Sequence, residues 1–338
     1  MTPENSSPTG SHDPSGLQAE TPDRGSGMHG RAPIELPADP FAQLLEVLDI
    51  RALGANTFIG QSQPQPHGRA FGGQVLAQCV MAAGRTLVAL DGDGDRYIHS
   101  LHGYFLRPAD SSREIRFEVE RLRDGRSFSA RRVHAYQDDK VLLSMTTSFQ
   151  EPAGGLDHQE RMPDVPAPEE LPSISELLAG VDDPRAVFLT KGRPVDMRWV
   201  DAPLYGNNFA RTDRQSVWVR FTGQLPEDPL LNAAASCYLS DYTLLEPVLR
   251  RHGIAWTDTR LRPASLDHAM WFHRRPRLDD WILYTQSSPS AQSGRGLGVG
   301  RLFHADGTLM ASVAQEGMVR IKERAAGSAR TRPRAAPR

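Results

Sequence analysis

The sequence predicts an α+β chain made of two copies of one module, each a long buried helix wrapped by an antiparallel sheet. Three observations carry this. Ile98 to Pro108 (Ile-His-Ser-Leu-His-Gly-Tyr-Phe-Leu-Arg-Pro) echoes Pro263 to Arg275 (Pro-Ala-Ser-Leu-Asp-His-Ala-Met-Trp-Phe-His-Arg-Arg), with Phe105 falling on Phe272 and Arg107 on Arg274 at a shift of 167. Thr147-Ser-Phe-Gln150-Glu151 echoes Ser312-Val-Ala-Gln315-Glu316 at a shift of 165, matching Gln150 to Gln315. Each half also places one long apolar helix before a run of four strand-like segments, the pattern of a sheet packed on a buried helix.

The elements follow in order. Residues 1–38 are dense in Pro, Gly, Ser and charge and are expected to be disordered, as is the Arg-, Ala- and Pro-rich stretch 323–338. The first module is expected over 39–151. Phe41, Leu44, Leu45 and Leu48 have the spacing of a short amphipathic helix over Pro40 to Ile50, and Thr57 to Gly60 reads as a strand. Gly72 and Gly73 stand where a helix begins, and Gln74 to Leu87 is apolar nearly all round. Strands are expected at 97–107, 114–123, 127–137 and 140–150, the last two joined by a hairpin turn at Asp138-Asp139-Lys140. A linker rich in Pro, Glu and Asp covers 152–185, with one short helix near Ile174 to Leu178. The second module, 186–322, repeats the order. It has strands at Pro194 to Val200 and Ser216 to Phe221, then a helix from Leu230 to Arg251 with a kink expected at Pro247. Strands follow at 263–274, 280–288, 295–304 and 308–319, with a turn at Asp306-Gly307.

Composition limits the function. With 39 basic and 41 acidic residues and a net charge of −2, the chain lacks the cationic excess of a nucleic-acid binder. No apolar run approaches the roughly 18 residues of a membrane span. Cys79 and Cys237 lie far apart in apolar segments, as buried thiols in a reducing compartment do. The beginning of the chain lacks the pattern of a secretory signal and its end lacks Ser-Lys-Leu, so the cytoplasm is the expected location.

Asp241 is the first chemical candidate. It falls on a helical stripe with Ala234, Cys237, Tyr238, Leu245 and Val248, and a carboxylate there must be hydrogen-bonded or used. Gln315 and Ser265 are quieter: a strand Gln usually lies on a wetted face, and a Ser at a strand start is usually just a Ser. His268 and His273, five apart in one strand, point to opposite faces and cannot share a metal ion, and neither His-Glu-x-x-His nor Cys-x-x-Cys is present. No Gly-x-Ser-x-Gly elbow occurs. The alternating glycines of Gly294 to Gly300 precede a strand without a Lys-Ser/Thr, so close backbone packing explains them better than a nucleotide. Arg123 to Arg132 is locally basic, either a solvated hairpin or a patch for ligand phosphates.

Together, Phe71-Gly-Gly-Gln-Val, Tyr104-Phe-Leu-Arg-Pro, Arg123-Asp-Gly-Arg-Ser-Phe-Ser-Ala-Arg-Arg, Leu266-Asp-His-Ala-Met-Trp-Phe-His-Arg and Gln315-Glu-Gly resemble the acyl-CoA thioesterase II (TesB-like) family, from about residue 40 to 322. The resemblance implies a double hotdog fold and hydrolysis of acyl-CoA by a water held between Asp241, Ser265 and Gln315. Ser265 stands where close bacterial relatives carry Thr, and Tyr242-Thr243 where they carry Leu-Asn. The first helix has no matching Asp, so one complete site per chain is expected. Gly72, Gly73, Arg126 and Arg131 are the candidate substrate contacts. The resemblance implies no cofactor, coenzyme A being part of the substrate, and no metal; a homo-oligomer, dimer or larger, is expected. Two other readings stay open: a 2-enoyl-CoA hydratase using an Asp–His pair, with histidines at 99, 102, 268 and 273, and a non-catalytic acyl-CoA sensor.

Overall fold

In the computed structural model, residues 36–87, 96–179, 184–205 and 209–322 are described. Most of the expected N-terminal tail and all of the expected C-terminal one lie outside them.

The first half contains α1 (Pro40–Leu48), β1 (Arg51–Gly54), β2 (Thr57–Gly60), α2 (Gly72–Arg85), β3 (Tyr97–Phe105), β4 (Ile115–Asp124), β5 (Phe128–Gln137) and β6 (Lys140–Gln150). Asp39 caps α1 through its side chain. Asp138 and Asp139 both take positive φ in the two-residue turn between β5 and β6, as the hairpin reading requires. Two short helices follow, α3 (Ile174–Leu177), with a Ser173/Glu176 capping box, and α4 (Pro184–Lys191). The second half contains β7 (Val195–Trp199), β8 (Arg214–Phe221), α5 (Pro229–Ser240), α6 (Glu246–Arg251), β9 (Leu261–Ser265), β10 (Asp267–Phe272), β11 (Ile282–Gln292), β12 (Arg295–His304) and β13 (Leu309–Ile321).

The strands form one sheet in the order β1-β2-β4-β5-β6-β3-β10-β13-β12-β11-β8-β7, with β9 also on β13. The order is symmetric about the β3–β10 seam. Tyr104 lies opposite Asp267 and Ser100 opposite Trp271, and residues 104 and 271 differ by 167, as do 100 and 267. The duplication is therefore a two-fold axis through the seam, passing between His102 and Ala269. The inner face packs on α2 and α5, which run antiparallel: Gly73 near the start of α2 meets Tyr238 near the end of α5, and Gly84 meets Leu230. Buried Gln74 and Gln78 interrupt the apolar surface of α2. They tie down the preceding segment, Gln74 Oε1 accepting from Gln63 N–H at 2.8 Å and Gln78 Nε2 donating to Gln61 O at 2.7 Å.

Three expectations change. The helix expected from Leu230 to Arg251 is two helices. The chain turns at Thr243, whose φ is +61°, and Pro247 then sits at the start of α6, where its missing N–H costs nothing. The strand expected over 263–274 is broken at Leu266 into β9 and β10. Register also places Thr147, opposite Leu101, in the position that Gln315 holds beside His268; Gln150 lies opposite Tyr97 instead. The glycine run does serve close packing, since a Cβ on Gly298 would lie 2.1 Å from the Leu244 carbonyl oxygen.

The linker is an extended strap over the outer face of the second half. Met162, Val165 and Leu171 pack on Trp218, Trp281, Leu283, Phe303 and Leu309. Trp218 Nε1 donates to Pro166 O at 2.9 Å, and Asp157 pairs with Arg274 at 2.6 Å. Among the described residues, no helix is long and apolar enough to cross a membrane.

Candidate active site

The cluster begins with a break in a strand. Between Ser265, opposite Gly317, and Ala269, opposite Ala314, lie three residues on one side and two on the other. This is a β-bulge, one extra residue that twists and re-aims its strand. Inside it, Leu266 N–H donates to Glu316 O at 2.9 Å and the Asp267 carboxylate accepts from Glu316 N–H at 2.7 Å. In an unbroken strand Ser265 and His268, three apart, would face opposite ways. The bulge turns both toward Gln315 of β13. Gln315 Nε2 donates to Ser265 Oγ at 2.9 Å, and Gln315 Oε1 meets His268 Nδ1. Gln315 is buried, contrary to the wetted face usual for such a residue.

Asp241 closes the cluster from the helix side. It is the C-cap of α5, not a residue within a helical stripe, and is half-buried. Its Oδ2 accepts from Gly73 N–H at 2.8 Å. Gly73 is the second residue of α2, so this donor is one of those a helix leaves unpaired at its positive end. A Cβ on Gly73 would lie 2.6 Å from Tyr238 O and 3.0 Å from Asp241 Cβ, so glycine is what permits the approach. Gly72 is equally close, its added Cβ falling 2.8 Å from Asp241 Oδ2. Burial pushes the Asp241 carboxyl up to about 6, while hydrogen bonds from the Gln315 side chain and Gly73 N–H hold it down. The result is a carboxylate with one fixed backbone donor, the Gln315 amide close by and an affinity for protons close to neutrality, which suits a general base.

The other candidates are placed differently. Arg126 is exposed on the β4–β5 hairpin. Arg131 is fully buried, pairs with Asp124 at 2.7 Å and donates from Nε to Thr86 Oγ1 at 2.8 Å, so it serves the fold rather than a ligand phosphate. His273 is exposed beside Ser312 while His268 is buried, as the alternation predicts. His99 bonds Ser148 and His102 stacks edge-on against exposed Trp271, on the face away from Asp241. His268 is occupied at both ring nitrogens, by Gln315 and by Ser240 Oγ at 2.9 Å. None of these histidines is arranged as a hydratase base.

Sequence comparisons bear on what the cluster serves. Residues 61–150 match the profile described as acyl-CoA thioesterase N-terminal domain and residues 186–318 the one described as acyl-CoA thioesterase. Over 292 residues the chain is 35% identical to acyl-CoA thioesterase 2 of Haemophilus influenzae, covering 85% of this chain and 100% of the relative. The chain belongs to the acyl-CoA thioesterase family. It is also 35% identical to human acyl-coenzyme A thioesterase 8, over 90% of this chain and 96% of that one. Among solved structures it resembles acyl-CoA thioesterase II TesB2 from Mycobacterium marinum, with 40% identity, a TM-score of 0.66 and coverage of 83% and 98%. The tesB protein of Mycobacterium avium subs paratuberculosis gives 35% identity and a TM-score of 0.68, covering 82% and 99%. These neighbours make the fold a double hotdog.

In this thioesterase-family chain the two-fold axis generates a second position that is filled. Thr86 is the C-cap of α2 with φ −81° and ψ −9°, matching Asp241 at −80° and −11°. Arg131, opposite Thr147, stands where the second half has Gly298 opposite Gln315, and its Nε donates to Thr86 Oγ1 at 2.8 Å. Leu230 packs over Gly84 where Asp241 has Gly73. Among the described residues, the Asp–Gln–Ser cluster occurs once.

Proposed function

We propose that this chain hydrolyses acyl-CoA to the free acid and CoA, with Asp241 as general base toward a water that Ser265 and Gln315 orient. A thioester carbonyl is electrophilic and its thiolate leaves without a strong acid, so the enzyme must mainly deprotonate water and stabilise an oxyanion. The observation that carries the reading is the Gln315 amide, which donates to Ser265 and lies close to Asp241, itself held at a helix N-terminus by Gly73 N–H. Because Gly73 N–H is taken by Asp241, the donor assigned to the developing oxyanion in this reading is the Gly72 N–H at the same helix N-terminus. Exposed Arg126 remains a candidate for the CoA phosphates. The reaction needs no cofactor or metal. Buried, unpaired Cys79 and Cys237 fit a reducing compartment such as the cytoplasm. Assembly into a homo-oligomer belongs to the same reading and is measured by sedimentation velocity.

The test is thiol release over a chain-length series of acyl-CoAs. We expect turnover by the full chain and its loss, with the fold intact, in Asp241→Asn. Near-normal hydrolysis by that variant would overturn the assignment, and consumption of a 2-enoyl-CoA without thiol release would favour hydration.

A further inference from the structure

Gln315 can orient a water for Asp241 only if its amide faces the right way. Its two ends differ, one carrying two donors and the other an acceptor, and each has a fixed neighbour. One end lies against Ser265 Oγ and the Asp241 carboxylate. The other lies against Nδ1 of His268, whose Nε2 is 2.9 Å from Ser240 Oγ. Ser240 Oγ is also 2.9 Å from Cys237 O. All three side chains, His268, Ser240 and Gln315, are buried.

We propose that His268 is a positioning residue: as the neutral Nδ1–H tautomer, held by Ser240, it keeps the Gln315 NH2 group facing Asp241 and Ser265. The inference rests on the thioesterase reading above and deepens it. Hydrogen positions follow from which arrangement leaves the least costly contact unsatisfied. With the proton on Nδ1, His268 donates to Gln315 Oε1, Gln315 Nε2 donates toward Ser265 and Asp241, and the Ser240 hydroxyl donates to His268 Nε2. Every contact but one then joins a donor to an acceptor: Ser240 has a single hydroxyl proton, so giving it to His268 leaves Ser240 Oγ and Cys237 O as two neutral acceptors 2.9 Å apart, a smaller cost than an amide oxygen set against a carboxylate. With the proton on Nε2, a bare Nδ1 faces Gln315, so the amide must rotate by half a turn. Its Oε1 would then point at the Asp241 carboxylate, two acceptors set against each other where little water can screen them. A doubly protonated ring would also donate from Nδ1, but burial lowers the His268 imidazole to about 4, so near neutrality the ring carries one proton. His268 thus acts through Gln315 and does not touch the reacting atoms. Ser240, the last residue of α5, links the end of that helix to the bulged strand and thereby the base to the amide that orients its water.

The experiment reads the tautomer directly. In the full chain labelled with ¹⁵N-histidine, two-bond ¹H–¹⁵N correlation spectra assign the His268 ring by its absence in His268→Asn. We expect a neutral ring protonated at Nδ1 from pH 6 to 8; an Nε2–H ring, or one that titrates in that range, overturns the proposal. In kinetics, His268→Leu should lower kcat roughly ten-fold, the loss of about one buried hydrogen bond, with KM little changed. Its acid limb should also move to higher pH, because a free amide no longer holds the Asp241 proton affinity down. His268→Asn, which keeps a nitrogen donor near Nδ1, should recover most of the rate, and His268→Gln, whose amide reaches toward Nε2, should not. Equal losses in Leu and Asn with an unmoved acid limb would mean that His268 only packs. If His268→Leu does not fold, the wild-type spectrum still decides. An inactive Asp241→Asn with an Nε2–H ring rejects this inference alone, whereas an Asp241→Asn that still hydrolyses acyl-CoA rejects Asp241 as the base, the reading on which this inference rests, whatever the tautomer.

Discussion

Replacing Asp241 by Asn should remove turnover and change how the stability of the fold depends on pH. Burial pushes this carboxyl from 3.8 up to about 6. The folded chain therefore holds the proton more tightly than the unfolded one. The stability this group contributes is complete below pH 3.8 and is lost as pH rises through about 6. A displacement of that size corresponds to about 3 kcal/mol, and partial exposure of the side chain makes this an upper figure. Asn does not titrate. It must set an NH2 against one of two donors, Gly73 N–H or the Gln315 amide, and that cost is the same at every pH. The stability of the Asp241→Asn variant relative to the parent should thus rise by up to about 3 kcal/mol between pH 4 and pH 8. Urea unfolding at half-unit steps across that range measures it, alongside thiol release at pH 8. Parallel stability curves would show that Asp241 is not held as a strained, half-desolvated base, even if activity were lost.

Gly73→Ala should lower kcat/KM at least ten-fold and move the acid limb of the pH profile upward. The added methyl must push α2 from Tyr238 O, and losing the N–H bond to Oδ2 lets the carboxyl bind its proton more tightly. Ser265→Ala should lower kcat by roughly ten-fold through loss of one hydrogen bond, while Ser265→Thr keeps most of it; steady-state thiol release separates the two. Arg131→Met should destabilise the chain by about 2–3 kcal/mol in urea unfolding, because Asp124 and Thr86 lose a buried partner. Its KM for acyl-CoA should stay unchanged, since the guanidinium does not reach a ligand.

Much of the fold was legible because apolar periodicity and turn residues act locally. The β5–β6 hairpin was announced by Asp138-Asp139, and the duplication by the echo that becomes the β3–β10 seam. The end of α5 was harder. Local spacing lets Asp241 continue a helical stripe, whereas the chain turns because Thr243 adopts positive φ, held by Gln286 Nε2 donating to its Oγ1 at 2.7 Å from β11. The bulge was invisible for a similar reason, since an extra residue exists only relative to the partner strand. Its one sequence trace was two polar residues, Ser265 and His268, spaced three apart where alternation predicts opposite faces. The resemblance to the family pointed to Asp241, Ser265 and Gln315, which the fold brings together. It did not point to Gly73 as the donor to Asp241, nor to His268 as the partner of Gln315, because both roles depend on contacts between distant segments. Arg131 misled because a basic hairpin looks the same whether its charges face water or Asp124.

The seam between β3 and β10 makes the chain a dimer that carries its own partner. Asp241 comes from the second half and one of its donors from the first, so under the proposed mechanism neither half holds a whole site by itself. A cut at Gly154-Gly155, where an added side chain would meet nothing, leaves the strap with the second fragment and every paired strand whole. Two such fragments, produced separately, should be inactive alone and hydrolyse acyl-CoA when mixed. Fusion into one chain fixes the ratio of the halves at one to one, so one of two equivalent positions can carry Thr86 and Arg131 while the other carries Asp241.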